Sequence, residues 1–66
     1  MKNYLKVERA KKDITQATLA EKIGVSRQTI NAIEKGKFVP STLLALKMAR
    51  YFKTPVGDIF ELEEGE

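Results

Sequence analysis

The sequence predicts an all-α domain of five helices built around a helix-turn-helix. Three observations predict it. The stretch TQATLAEKIGVSRQTINAIEKG, residues 15–36, reads as two short helices joined by a Gly-Val-Ser turn. Apolar residues recur at helical spacing on both sides of that stretch, with helix starts at Ser41 and Thr54. The chain has 66 residues, no cysteine and no histidine, which suits one domain over 1–66 held by packing rather than by disulfides or a Cys-based zinc site.

Residues 3–12 read as the first helix, with Leu5, Val7 and Ala10 interrupted by Glu8 and Lys12. Asp13 stands where a glycine would help end it. Ile14 lies just ahead of Thr15, the place of a hydrophobic staple onto Leu19. Thr15 is a helix N-cap, because its hydroxyl accepts an otherwise unpaired N–H of the first turn. Leu19, Ala20 and Ile23 make the apolar stripe of the second helix, and Ala20 is small where two helices must approach. Gly24 stops that helix, since glycine takes the left-handed conformation without a Cβ penalty. Val25 plugs the turn and Ser26 caps the third helix. Ile30 and Ile33 point inward, and Gly36 ends it. The helix-turn-helix proper covers 16–36, and its second helix is the candidate recognition helix.

Lys37 to Pro40 form a loop, and Ser41 caps a fourth helix over 42–53. Ala45, Met48, Ala49 and Phe52 make its main apolar face, while Leu43, Leu46 and Tyr51 add apolar surface outside it. A helix apolar on several sides is buried on several sides. Either a partner chain or the first and fifth helices cover it. Thr54-Pro55 supplies a capping hydroxyl followed by proline at the first helical position. That starts a fifth helix near 55–60 with Val56, Ile59 and Phe60. Glu61-Leu62-Glu63 alternates charged and apolar, the pattern of a short strand, so the reading allows a small terminal two-stranded sheet.

The outward face of the third helix carries Arg27, Gln28 and Thr29, then Asn31 and Ala32 one turn later. Arginine pairs bidentately with guanine, glutamine and asparagine pair with adenine, and a thymine methyl packs on alanine. Lys35 and Lys37 flank the end of this helix. They reach phosphates and equally suit the negative end of the helix dipole. Residues 1–54 hold all 12 Lys and Arg against Glu8, Asp13, Glu21 and Glu34, a balance of +8. Residues 55–66 hold Asp58, Glu61, Glu63, Glu64 and Glu66, a balance of −5. A basic body suits a polyanion, and an acidic tail belongs away from it. The tail reads equally well as a solubilising terminus. No general acid/base pair or nucleophile is arranged, which argues against an enzyme. No metal, cofactor or small-molecule ligand is expected. No apolar run reaches the roughly 20 residues of a membrane span, and no signal-peptide pattern is present. The expectation is a cytoplasmic protein without a membrane partner.

The elements T-Q-x-x-L-A, G-V-S, I-x-x-I-E-x-G and P-S occur in order within ITQATLAEKIGVSRQTINAIEKGKFVPS, followed by LKMARYF and TPVGDIF. On these, the chain resembles the Cro/C1-type helix-turn-helix regulators, the Xre family, along nearly its whole length. Its size and ending are similar to the stand-alone cytolysin-repressor type, whose members dimerise partly through a small sheet of chain ends. The resemblance implies a five-helix Cro/C1-type domain in which Arg27, Gln28, Asn31 and Ala32 face the major groove of double-stranded DNA. It implies backbone contacts from Gln16, Thr29 and Lys37, with Phe38 to Ser41 near the sugar-phosphate. Arg9 and Glu34 match the family's buried ion pair. Three departures from the pattern stand out: Glu8 holds a usually apolar position, Ala17 and Thr18 replace acidic residues, and Leu43 holds an often polar one.

The leading expectation is a repressor acting as a homodimer on an inverted-repeat operator. Residues 55–66 form the dimerisation segment, and Leu43, Leu46, Phe60 and Leu62 line the interface. The rival reading is an antitoxin-type protein whose main partner is a toxin, since the same apolar surface serves a twin or a toxin.

Overall fold

The computed structural model describes residues 1–66. The elements run β1 (Lys2–Asn3), α1 (Leu5–Lys12), α2 (Gln16–Ile23), α3 (Arg27–Glu34), α4 (Thr42–Phe52), α5 (Val56–Ile59) and β2 (Phe60–Glu61). Five helices therefore surround one core, with a two-stranded antiparallel sheet at the chain ends. Leu5, Leu19, Ile23, Ile30, Ile33, Met48, Phe52 and Ile59 form that core, and Ala20 lets α2 and α3 close on each other.

The three caps that join the central helices are local. Thr15, Ser26 and Ser41 each accept the backbone N–H three residues on, from Thr18, Thr29 and Leu44. Thr18 stands where a capping-box carboxylate would be, and the Thr15 hydroxyl donates to its Oγ1 at 3.1 Å. Gly24 takes φ +86 at the turn, and Gly36 takes φ +73 two residues after α3. Asp13 itself adopts the left-handed conformation at the end of α1, with φ +54. Asx residues tolerate that region better than most.

Four boundaries and faces differ from the sequence reading. α1 begins at Leu5, because Lys2 and Asn3 pair as a strand with Glu61 and Phe60. Its inward face is Leu5, Glu8 and Arg9 rather than Leu5, Val7 and Ala10, and the latter two are exposed. Thr54 does not cap α5. Its hydroxyl is directed instead at Glu8 Oε1 at 3.2 Å and the Phe52 carbonyl at 3.1 Å, and Pro55 precedes the helix with no side-chain cap. Glu8 is buried yet satisfied, since Lys11 Nζ also reaches its other oxygen at 3.1 Å. Phe60 packs into this chain's own core at 9% exposure, so its side chain offers little surface to a partner.

Arg9 joins three parts of the fold. Its Nε and Nη2 donate to the two carboxylate oxygens of Glu34 at 2.6 and 2.9 Å. Its Nη1 donates to the Ile14 carbonyl at 3.0 Å. The guanidinium therefore ties α1 to α3 and to the connector before α2. The side chains are 14% and 7% exposed, so solvent screens the pair little. Burial alone would raise the Glu34 carboxyl. The bonds from Arg9 and Gln16, with the field of Lys6, hold it below the usual carboxylate range.

Removing one partner of a buried pair strands the other charge and typically costs about 3–5 kcal/mol. Arg9→Ala is expected to lose most of the folded population in a thermal melt, and an unchanged midpoint would contradict this role. The pair also carries a pH signature. A carboxyl with a lowered folded pKa adds stability above its unfolded value, and that stability is lost as pH falls through the folded value. The gap in melting temperature between the parent and Glu34→Gln should therefore narrow as pH drops below about 4. A gap that stays constant from neutral to acid pH would show that Glu34 is not charged in the fold.

Candidate nucleic-acid interface

The outward row of α3 is set by what its inward row buries. Ile30 and Ile33 are almost fully enclosed, at 0% and 1% exposure. That orientation leaves Arg27 and Gln28 exposed on the first turn, with Asn31 and Ala32 half-buried one turn later. The side-chain hydrogen bonds of α3 and its cap involve Ser26, Thr29, Asn31 and Glu34. Arg27 and Gln28 keep their full donor and acceptor capacity for a ligand. The α2–α3 pair makes the most extensive helix packing in the chain, and this row rides on it.

Groups that can meet a phosphate follow that row in the chain. Lys35 and Lys37 are exposed immediately after α3, and Phe38 is exposed in the loop beyond. The Ser41 oxygen accepts the Leu44 N–H at 3.1 Å, which leaves its own proton free to donate. The Thr29 hydroxyl lies 2.9 Å from Ser26 Oγ, so it is engaged at the cap of its own helix.

Gln16 sits differently from the backbone contact the resemblance implies. Its Nε2 donates both to Asn31 Oδ1 at 3.2 Å and to Glu34 Oε1 at 3.1 Å. Both amide protons are spent inside the chain, and the remaining oxygen is an acceptor that a phosphate cannot use. Any phosphate contact from this residue falls to its main-chain N–H, which is one of the unpaired donors at the start of α2.

One residue that supports the site was not singled out from sequence. Asn3 Nδ2 donates to the Ile33 carbonyl at 2.8 Å, and its Oδ1 accepts the Leu5 N–H at 3.2 Å. It braces the C-terminal end of α3 from the terminal sheet. The preference of Asn for helix starts was the one local signal available.

The remaining expected interface residues divide. Leu43, Leu46 and Leu62 are 66%, 54% and 70% exposed, whereas Phe60 is enclosed. No helix is long and apolar enough to cross a membrane.

Comparison with known proteins agrees with this geometry. The family model described as helix-turn-helix matches residues 5–59, from the start of α1 to the end of α5. The chain is 56% identical to an uncharacterised helix-turn-helix-type transcriptional regulator of Methanocaldococcus jannaschii, over all of both chains. It is 52% identical to a protein of the same description, YgzD of Bacillus subtilis, over 97% of each. A third such regulator, from Archaeoglobus fulgidus, is 47% identical over all of this chain and 93% of its own length. The capped α2–α3 pair, its outward polar row and these full-length matches converge, and the chain belongs to the Cro/C1-type helix-turn-helix family of DNA-binding transcriptional regulators.

Proposed function

We propose that the protein is a cytoplasmic repressor that binds an inverted-repeat operator as a homodimer, with Arg27, Gln28, Asn31 and Ala32 toward the major groove. The observation that carries this reading is the free, exposed pair Arg27 and Gln28 at the start of α3, beside Lys35 and Lys37. Base edges give sequence preference, while phosphates give affinity and salt dependence. Repression needs only occupancy of a promoter.

Dimerisation is supported by apolar surface with no cover in the monomer. Leu43 and Leu46 are exposed on α4, and Leu62 follows β2. One edge of β2 is used by β1, so strand pairing between copies has only its other edge available. The acidic tail is compatible with a twofold seam facing away from phosphate. Two copies so related present recognition helices to successive major grooves about 34 Å apart, or about 10 base pairs.

Gln28→Ala is expected to weaken operator binding by about 1–3 kcal/mol and to leave random-sequence binding nearly intact. Equal losses on both DNAs would remove Gln28 from base reading. Lys37→Ala should weaken both and lower the salt slope of binding by about one unit. An unchanged slope would mean that Lys37 meets no phosphate.

The assembly is tested by sedimentation equilibrium. The full chain should be a dimer at micromolar concentration. Leu43→Glu with Leu46→Glu, or a chain ending at Glu61, should shift it toward monomer while keeping Ile59 and Phe60 in the core. A monomeric parent that instead associates with the product of a neighbouring gene would favour the antitoxin-type reading.

A further inference from the structure

The hydrogen bonds around Gln16 have a direction, and that direction reaches the recognition helix. Glu34 receives two donors from Arg9 on its two oxygens. An ionised carboxylate has only acceptors to offer. Gln16, lying 3.1 Å from Glu34 Oε1, must therefore present its NH2 group there and not its carbonyl. The second proton of that NH2 points to Asn31 at 3.2 Å. Asn31 can meet a donor only with its oxygen, so Oδ1 is turned to α2, and Nδ2 makes no hydrogen bond within the chain. The neighbours of Asn31 on the helix surface are Arg27, Gln28 and Lys35, at the four- and three-residue spacings that share a face. Nδ2 is thus the free end of Asn31 on the outward row.

An unconstrained asparagine reads adenine with both ends, accepting from N6 and donating to N7. Asn31 has one lone pair of its oxygen taken by Gln16 and both of its protons free, so its donors are its readier end. We propose that Gln16 is a positioning residue that fixes Asn31 as a donor toward DNA. Asn31 then favours a base presenting acceptors, guanine with O6 and N7 first, over adenine at the position it contacts. The Arg9–Glu34 pair anchors the polarity of the relay, from guanidinium to carboxylate to glutamine to asparagine. Cytosine, which presents a donor in the major groove, is the least suited base.

This inference rests on the major-groove reading above, and the experiment separates the two. Sites are first selected from random duplex DNA with the full-length parent. Affinities are then measured for the selected site carrying each of the four base pairs at each position, with the parent, Asn31→Ala and Gln16→Met. Asn31→Ala should flatten the preference at one position in each half-site, which identifies the base that Asn31 contacts. The parent should favour guanine there over adenine by about tenfold. Gln16→Met releases Oδ1 and should move the ranking at that position alone toward adenine. A parent that favours adenine there overturns the proposal, as does a ranking that Gln16→Met leaves unchanged. If Asn31→Ala flattens no position, base contact by Asn31 fails, and this inference with it. Amide exchange in the free parent gives a readout that needs no variant to fold. The Gln16 side-chain protons should exchange more slowly than those of the exposed Gln28, and equal rates would overturn the relay.

Discussion

The ion pair between Arg9 and Glu34 is the constraint on which the rest of the structure depends. It connects α1, the α1–α2 connector and α3 with three hydrogen bonds from one guanidinium. A domain this small buries little apolar surface per residue. It cannot leave a buried charge or a loose helix uncorrected elsewhere. The pair does not earn its place through raw stability, since well-packed apolar residues often serve as well. Its value lies in geometry. Together with the buried Ile30 and Ile33, it holds α3 in one rotation about its own axis, and that rotation decides which side chains face outward.

Much of the fold was legible in local residues. Thr15, Ser26 and Ser41 act within their own first turns, and Gly24 answers a left-handed turn in its own backbone. The stripes Leu19–Ile23 and Ile30–Ile33 bury as their spacing requires. What was not legible depends on partners far along the chain. Lys2 and Asn3 form a strand only because residues 60 and 61 arrive beside them. Thr54 offers a cap by local pattern, but its hydroxyl is shared between the nearby Phe52 carbonyl and Glu8, 46 positions away in sequence. Phe60 continues an apolar helix face, and only the folded chain shows that the core already holds it.

The candidate site divides in the same way. The types and spacing of Arg27, Gln28, Asn31 and Ala32 follow from the amphipathic pattern of α3 alone. The engagement of Gln16 with both Asn31 and Glu34 joins three residues on two helices, and no periodicity announces it. Glu8 shows the converse. Its charge at an inward position looks like a defect in the stripe of α1, yet Thr54 and Lys11 together satisfy it.

The terminal sheet has a consequence for the order in which the molecule assembles. The helix pair α2–α3 closes over a short stretch, with its polar bonds 15 and 18 residues apart, whereas β1 meets β2 only when nearly the whole chain has been drawn into a loop. Closing a longer loop costs more chain entropy, and contacts of large sequence separation slow folding. The sheet is therefore the natural last step of folding and the first to fray. Asn3 makes that step matter, because it is the residue of β1 that holds the Ile33 carbonyl. A chain with its helices formed but its ends apart would display the recognition helix without its brace. The recognition helix would then gain that brace with ring closure, later than the secondary structure itself.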